Sequence, residues 1–152
     1  MVSIREMGQS DLDAVMAIEE VSFPTPWSRQ LFIEEIGRSF SDALVAVSAE
    51  CGEVLGYSVC WTVAEESHLL NIAVRPDARG RGVGRSLLRE NIRRGAKAGA
   101  VLIHLEVRAG NRAALRLYAR DGFSFRGIRR GYYTDTGEDA ILLSRALGES
   151  DA

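Results

Sequence analysis

The chain has 152 residues, 46% of them hydrophobic and 26% charged, which fits one soluble globular core and excludes disordered, collagen-like and disulfide-framework classes. The formal net charge of −2 hides an asymmetry: positions 1–74 hold 3 arginines and 12 acidic residues, positions 75–152 hold 16 basic and 9 acidic ones. No apolar run approaches the roughly 20 residues that span a bilayer, and the charged start Ile4-Arg5-Glu6 is unlike a secretory signal, so a cytoplasmic protein without membrane association is expected.

Val2 to Glu6 alternates apolar and polar residues, as a short half-buried strand does. Ser10 and Asp13 resemble a capping arrangement for a first helix that carries Leu12, Val15, Met16 and Ile18 to about Glu20. Pro24 and Pro26 forbid its continuation, and Ser28 can cap a second helix running to Gly37. Phe23 to Trp27 is then a rigid aromatic loop. Ala43–Val47 and Val54–Val63 read as a hairpin around Gly52, and Cys51 and Cys60, without Cys-x-x-Cys spacing, read as reduced structural thiols.

His68–Val74 predicts a strand, followed by a glycine-rich turn and a helix with Val83, Leu87, Leu88 and Ile92 on one face. Val101–Val107 is the next strand, and strand, helix, strand in that order requires a right-handed crossover and a parallel pair. Asn111 caps a fourth helix to Asp121, which Gly122 ends; strands at Ser124–Tyr133 and Ala140–Ser144 complete the chain. The expected fold class is α/β, of α+β type: about seven strands in a mixed sheet, a parallel pair in its middle and about four flanking helices. One domain covers 1–147, with 148–152 expected to fray.

The most informative stretch is Asn71 to Arg85. A strand ends at Val74, Pro76 stops its pairing, and Gly80, Gly82 and Gly84 alternate with Arg79, Arg81, Val83 and Arg85 as a helix opens. Glycines there let an anion approach unpaired helix N–H groups, and the helix dipole favours negative charge, so the turn suits a phosphate. A Walker loop would need Gly-Lys-Ser or Gly-Lys-Thr, which is absent; a dinucleotide fingerprint would need glycine at position 85, where Arg85 stands. A dinucleotide remains a weakened alternative, because Glu106 ends the next strand where a ribose ligand would lie.

On the strand from Val101 to Val107, the residues Val101, Ile103, Leu105 and Val107 make one apolar face and leave His104 and Glu106 together on the other. A carboxylate at the C-terminal end of such a strand, away from the packed side, is placed for catalysis. A lone histidine beside it reads first as a hydrogen-bonded structural residue. Tyr118 follows Asn111 by two helical turns, on the face of Ala114, and an ordinary phenol stays protonated at neutral pH. Phe23 and Trp27, with the pair Tyr132-Tyr133, are candidates for a peptide groove, with core packing as the equal alternative.

Arg79-x-x-Gly82-x-Gly84 after Ile72-Ala73-Val74 resembles the acetyl-CoA pyrophosphate loop of the GCN5-related N-acetyltransferases (GNAT), and the element order resembles theirs over almost the whole chain. Phe23-Pro24-Thr25-Pro26-Trp27-Ser28, Leu70 to Val74, Leu105-Glu106-Val107-Arg108 with Asn111, Leu117-Tyr118 with Gly122-Phe123, and Arg130-Gly131-Tyr132-Tyr133 are similar to the bacterial ribosomal-protein-alanine N-acetyltransferase (RimI) family. That resemblance implies acetyl-CoA bound by Ile72, Ala73, Val74, Arg79, Gly80, Arg81, Gly82, Val83, Gly84, Arg85 and Asn111. It also implies Glu106 as general base, Tyr118 as general acid and no metal. The acceptor it implies is a protein N-terminal amine, the alanine of a small-subunit ribosomal protein, without direct nucleic-acid binding. Lysine or a small-molecule amine as acceptor, and a non-catalytic CoA- or dinucleotide-binding module, remain the competing expectations.

Overall fold

The computed structural model describes residues 1–152 and has seven strands and four helices. In chain order they are β1 (Val2–Glu6), α1 (Leu12–Ser22), α2 (Arg29–Gly37), β2 (Ser41–Ser48), β3 (Val54–Val63), β4 (Glu66–Val74), α3 (Val83–Lys97), β5 (Leu102–Arg108), α4 (Arg112–Arg120), β6 (Ser124–Tyr133) and β7 (Glu138–Ala146). Helix starts follow local chemistry. Ser28 Oγ accepts the Leu31 N–H at 3.2 Å and Asn111 Oδ1 accepts the Ala114 N–H at 3.2 Å, the two expected caps. The expected Ser10/Asp13 cap is replaced by a 3-10 turn over Gln9–Asp11, because Asp11 already accepts the Gly8 N–H at 2.8 Å and both Arg5 nitrogens at 2.8 and 2.9 Å.

The sheet order is β1-β2-β3-β4-β5-β7-β6, and only β4 and β5 run parallel. Period-two alternation sorts its faces. Ala43, Val45, Tyr57 and Val59 pack with Leu12, Val15, Ile18 and Phe32 under α1 and α2. Leu44 and Ala46 turn the other way, to Val83 and Leu87 of α3, while Leu69, Ile103, Leu105 and Val107 meet Leu88, Ile92 and Tyr118 beneath α3 and α4. Helix α3 lies close on the sheet: a Cβ at Gly56 would stand 3.2 Å from Val83 and 3.3 Å from Leu87.

Two irregularities shape the centre. In β4, Val59 faces Asn71 and Cys60 faces Leu69, so Leu70 is an extra residue, a bulge. The parallel pairing of β4 with β5 runs from Glu66↔Leu102 to Leu69↔Leu105 and stops there. Beyond it, Asn71–Val74 and Glu106–Arg108 diverge, and the sheet is split at its middle.

The tail does not fray. Glu149–Asp151 forms a 3-10 turn, with Arg145 Nη2 bonded to Asp151 at 2.8 Å and Gly148 N–H to the same carboxylate at 2.9 Å.

Candidate active site

The split opens into a cavity of about 420 Å³ lined by residues of α1, the α1–α2 loop, β4, β5, α4 and the β6–β7 hairpin. Of the residues expected from sequence, Phe23, Trp27, Ile72, Glu106, Asn111, Tyr118, Tyr132 and Tyr133 line it. The rest of the expected phosphate segment stands apart, from the end of β4 to the start of α3. Gly80 and Gly82 adopt φ of 76° and 84°, a left-handed conformation that favours glycine, and Gly82 is the N-cap of α3. Helical bonding starts with Ser86 N–H to the Gly82 carbonyl at 3.0 Å, so Val83, Gly84 and Arg85 present free N–H groups.

The arginines of this segment divide. Arg79 folds back, donating to the Val74 carbonyl at 2.9 Å and to Ser22 Oγ at 3.3 Å. Arg85 and Arg89 pair with Asp121 at the end of α4, at 3.3 and 3.5 Å. Arg81 is exposed.

Glu106 lies on the α1–α2 side of the sheet, since Leu105 and Val107 are taken by the opposite core. Its carboxylate is bonded to His68 Nε2 at 2.7 Å, and that contact holds it below the ordinary glutamate range against the upward pull of burial. His68 is a site residue that the strand pattern alone did not single out. It faces His104 across the parallel register, and the two rings stack at 4.3 Å with 19° between planes. Burial, then the neighbouring His68, pushes the His104 imidazole below its ordinary value, which favours its neutral form. Nitrogen and oxygen atoms of His68, His104 and Glu106 lie within 4.8 Å of one another. Near-parallel imidazole planes direct their in-plane lone pairs side by side rather than to one point, so the cluster reads as a hydrogen-bonded pair with a stacked neighbour. Val101, expected on the apolar face, precedes β5 and is 54% exposed, because β5 starts one residue later.

Tyr118 comes from α4 on the other side of the split. Its ring packs on Phe123 at 5.5 Å, and burial pushes its phenol well up from the ordinary value. It therefore holds its proton throughout the physiological range. The rim on the α1–α2 side is braced by Arg108, which bonds both Asp135 oxygens at 3.0 and 2.8 Å and lies 4.1 Å over the Tyr133 ring. Thr25 Oγ1 donates to Asp135 at 2.8 Å, so the α1–α2 loop and the β6–β7 turn meet above the cavity. Trp27 and Phe23 pack partly into the α1–α2 core, and Tyr132 is 44% exposed.

Glu19 is the second residue missed from sequence. It is 1% exposed and borders the cavity, accepting from Trp27 N–H at 2.8 Å, Asn71 Nδ2 at 2.9 Å and the Tyr57 hydroxyl. The available signal was its place on the apolar stripe of α1, seven residues after Leu12 and four after Val15.

A mixed sheet split between parallel strands, with a glycine-rich helix start beside the split, defines the class: a family model described as Acetyltransferase (GNAT) family matches residues 12–123, and the chain belongs to that family. It is similar to the [Ribosomal protein bS18]-alanine N-acetyltransferase of Escherichia coli strain K12, at 36% identity over 146 residues, 95% of this chain and 97% of the other. The crystal structure of the ribosomal-protein-S18-alanine N-acetyltransferase from Escherichia coli superposes with a TM-score of 0.86 at 35% identity, over 98% of this chain and 97% of that one. Arabidopsis thaliana NAA60 in complex with acetyl-CoA shares the fold, with a TM-score of 0.87 at 20% identity over 96% and 98% of the two chains. No helix is long and apolar enough to cross a membrane.

Proposed function

We propose that the protein transfers the acetyl group of acetyl-CoA to the α-amine of a protein N-terminus, and that the acceptor is the N-terminal alanine of a small-subunit ribosomal protein. The observation that carries the chemistry is the cavity running through the split sheet, with Glu106 reached from one face and Tyr118 from the other. The similarity to enzymes named for ribosomal protein bS18 supports the acceptor.

The pyrophosphate of acetyl-CoA sits on the free N–H groups of Val83, Gly84 and Arg85, within reach of Arg81. The thioester lies in the split, where Ile72 to Val74 have lost their β5 partner. The amine enters from the α1–α2 side. Its nitrogen attacks the thioester carbonyl, the N–C bond forms and the C–S bond breaks. The amine's proton leaves on the Glu106 side, directly or through water, and the Tyr118 phenol protonates the departing sulfur.

The acceptor class follows from acidity. An α-amine near pKa 8 is about a tenth neutral at pH 7, whereas a lysine near 10.4 is less than a thousandth neutral. A carboxylate held low by His68 is a weak base, and it suits the amine that needs less deprotonation. The test is mass-spectrometric: with acetyl-CoA, an alanine-initiated peptide that copies the bS18 terminus gains one acetyl group, and an N-blocked peptide with internal lysines gains none. Acetylation of the lysine peptide alone would overturn the acceptor and leave the acetyltransferase; binding of acetyl-CoA without any transfer would favour a binding module.

A further inference from the structure

The bulge in β4 re-aims one side chain. Without Leu70 as an extra residue, Asn71 would share a face with Leu69 and point at the α3–α4 core. With it, Leu70 and Asn71 both face α1 and α2, on the side where His68 and Glu106 meet. Asn71 is 7% exposed and borders the cavity beside Glu106.

The direction of its carboxamide is fixed by Glu19. A carboxylate only accepts, so the atom 2.9 Å from Glu19 is Nδ2, and the oxygen is turned away. That oxygen accepts no hydrogen bond from the protein, yet it is not among the enclosed unpaired atoms, which are Ser41 Oγ, Asn91 Nδ2 and Asp121 Oδ2. An acceptor on a residue more than nine-tenths buried thus opens to the cavity without a partner. Glu19 itself is anchored by the Trp27 N–H and the Tyr57 hydroxyl, so it cannot turn to serve another donor.

Resting on the acetyl-transfer reading above, we infer that Asn71 Oδ1 is the seat of the acceptor nitrogen, and that Glu19 is the positioning residue keeping that oxygen outward. A neutral primary amine has two N–H groups and one lone pair. Asn71 takes one N–H, the Glu106 carboxylate takes the other, and the lone pair is left to face the thioester carbonyl. A neutral secondary amine has one N–H and leaves one of the two acceptors unpaired. The site therefore selects primary amines, and N-terminal proline or N-methylalanine is rejected by its missing hydrogen bond rather than by its basicity.

Steady-state kinetics on alanine-, N-methylalanine- and proline-initiated versions of one peptide, with acetyl-CoA saturating, tests this. The wild type should prefer alanine, and Asn71→Ala should lower kcat/KM for alanine by roughly ten- to a hundredfold and erase the preference. Glu19→Gln should have a similar effect for a different reason. The Trp27 N–H fixes the new amide's oxygen, its NH2 faces Asn71, and the Asn71 carboxamide must flip and present its own NH2 to the amine.

Adding Asn71→Asp to Glu19→Gln should restore kcat/KM for the alanine peptide to within about threefold, since a carboxylate accepts from the new amide and still offers the cavity an acceptor. Acetyl-CoA affinity by calorimetric titration should stay within about twofold in every variant, which shows an intact fold. Unchanged alanine kinetics in Asn71→Ala, or a double variant no better than Glu19→Gln, overturns the assignment while acetyl transfer stands. A wild type that acetylates no amine removes both.

Discussion

Glu106 stands between opposed influences, chiefly a hydrogen bond from His68 that favours its charge and a partly buried position that opposes it, and the hydrogen bond, aided by His104 and Arg129, wins. The carboxylate therefore stays ionised to lower pH than an ordinary glutamate. In His68→Leu the largest downward influence is gone, leaving burial against the weaker pull of His104 and Arg129, so the Glu106 carboxyl rises and its ionised fraction falls on the acid side. The acidic limb of a kcat/KM profile should move to higher pH in that variant, and an unmoved limb would separate Glu106 from that limb. Positioned acid or base groups contribute about 10²- to 10⁴-fold, and Glu106→Gln and Tyr118→Phe should each lower kcat within that range. Raising the pH towards 9 should partly restore Glu106→Gln, because more of the α-amine is then neutral, but not Tyr118→Phe, which lacks the proton proposed to go to sulfur. Single-turnover rates across pH 6 to 9 read both effects.

In the proposed function the helix start at Gly82 binds through its position rather than its side chains. Its φ of 84° suits glycine, so Gly82→Val should cost roughly 1–2 kcal/mol of stability through backbone strain alone. The same change should raise the acetyl-CoA dissociation constant more than tenfold while peptide affinity changes less, measured by titration calorimetry. This element was legible in the sequence because its signal is local: three glycines and a strand end within a few residues. The caps at Ser28 and Asn111, the hairpin and the parallel pair were legible for the same reason. Glu19, His68 and Asn71 were not, because their roles depend on contacts 52 and 38 positions away in the chain, Glu19 to Asn71 and His68 to Glu106. The bulge at Leu70 was hidden too: Leu69-Leu70 in an apolar run gives no sign of which of the two is the extra residue. Val101 and the tail were misread because alternation runs past a strand's end, and because Arg145 reaches Asp151 through a turn that composition does not reveal.

For the molecule as a whole, carboxylates held by arginines set the acid response. Glu90, paired with Arg93 and Arg94, is held down to about 2, and Asp135, bound by Arg108 and Thr25, is also held to about 2. Both are depressed relative to unfolded values near 4, so their stabilisation is complete above that range and is lost as pH falls towards 2. The urea midpoint should stay nearly level from pH 7 to about 5 on their account and then fall, and Glu90→Gln should flatten the fall. The split between β4 and β5 has a consequence for the order of events. On the proposed reading the amine reaches the thioester carbon from the α1–α2 face while CoA is still bound in the split, so neither has to leave before the other arrives. Cys60, the one thiol inside the fold, is sealed by packing and pushed up to about 12, and Cys51 is exposed on the β2–β3 turn and does not line the cavity, so neither is placed to carry the acetyl group as a covalent relay. Initial-velocity plots at varied peptide concentrations should therefore intersect rather than run parallel, and the enzyme should release no burst of free CoA until an amine is supplied.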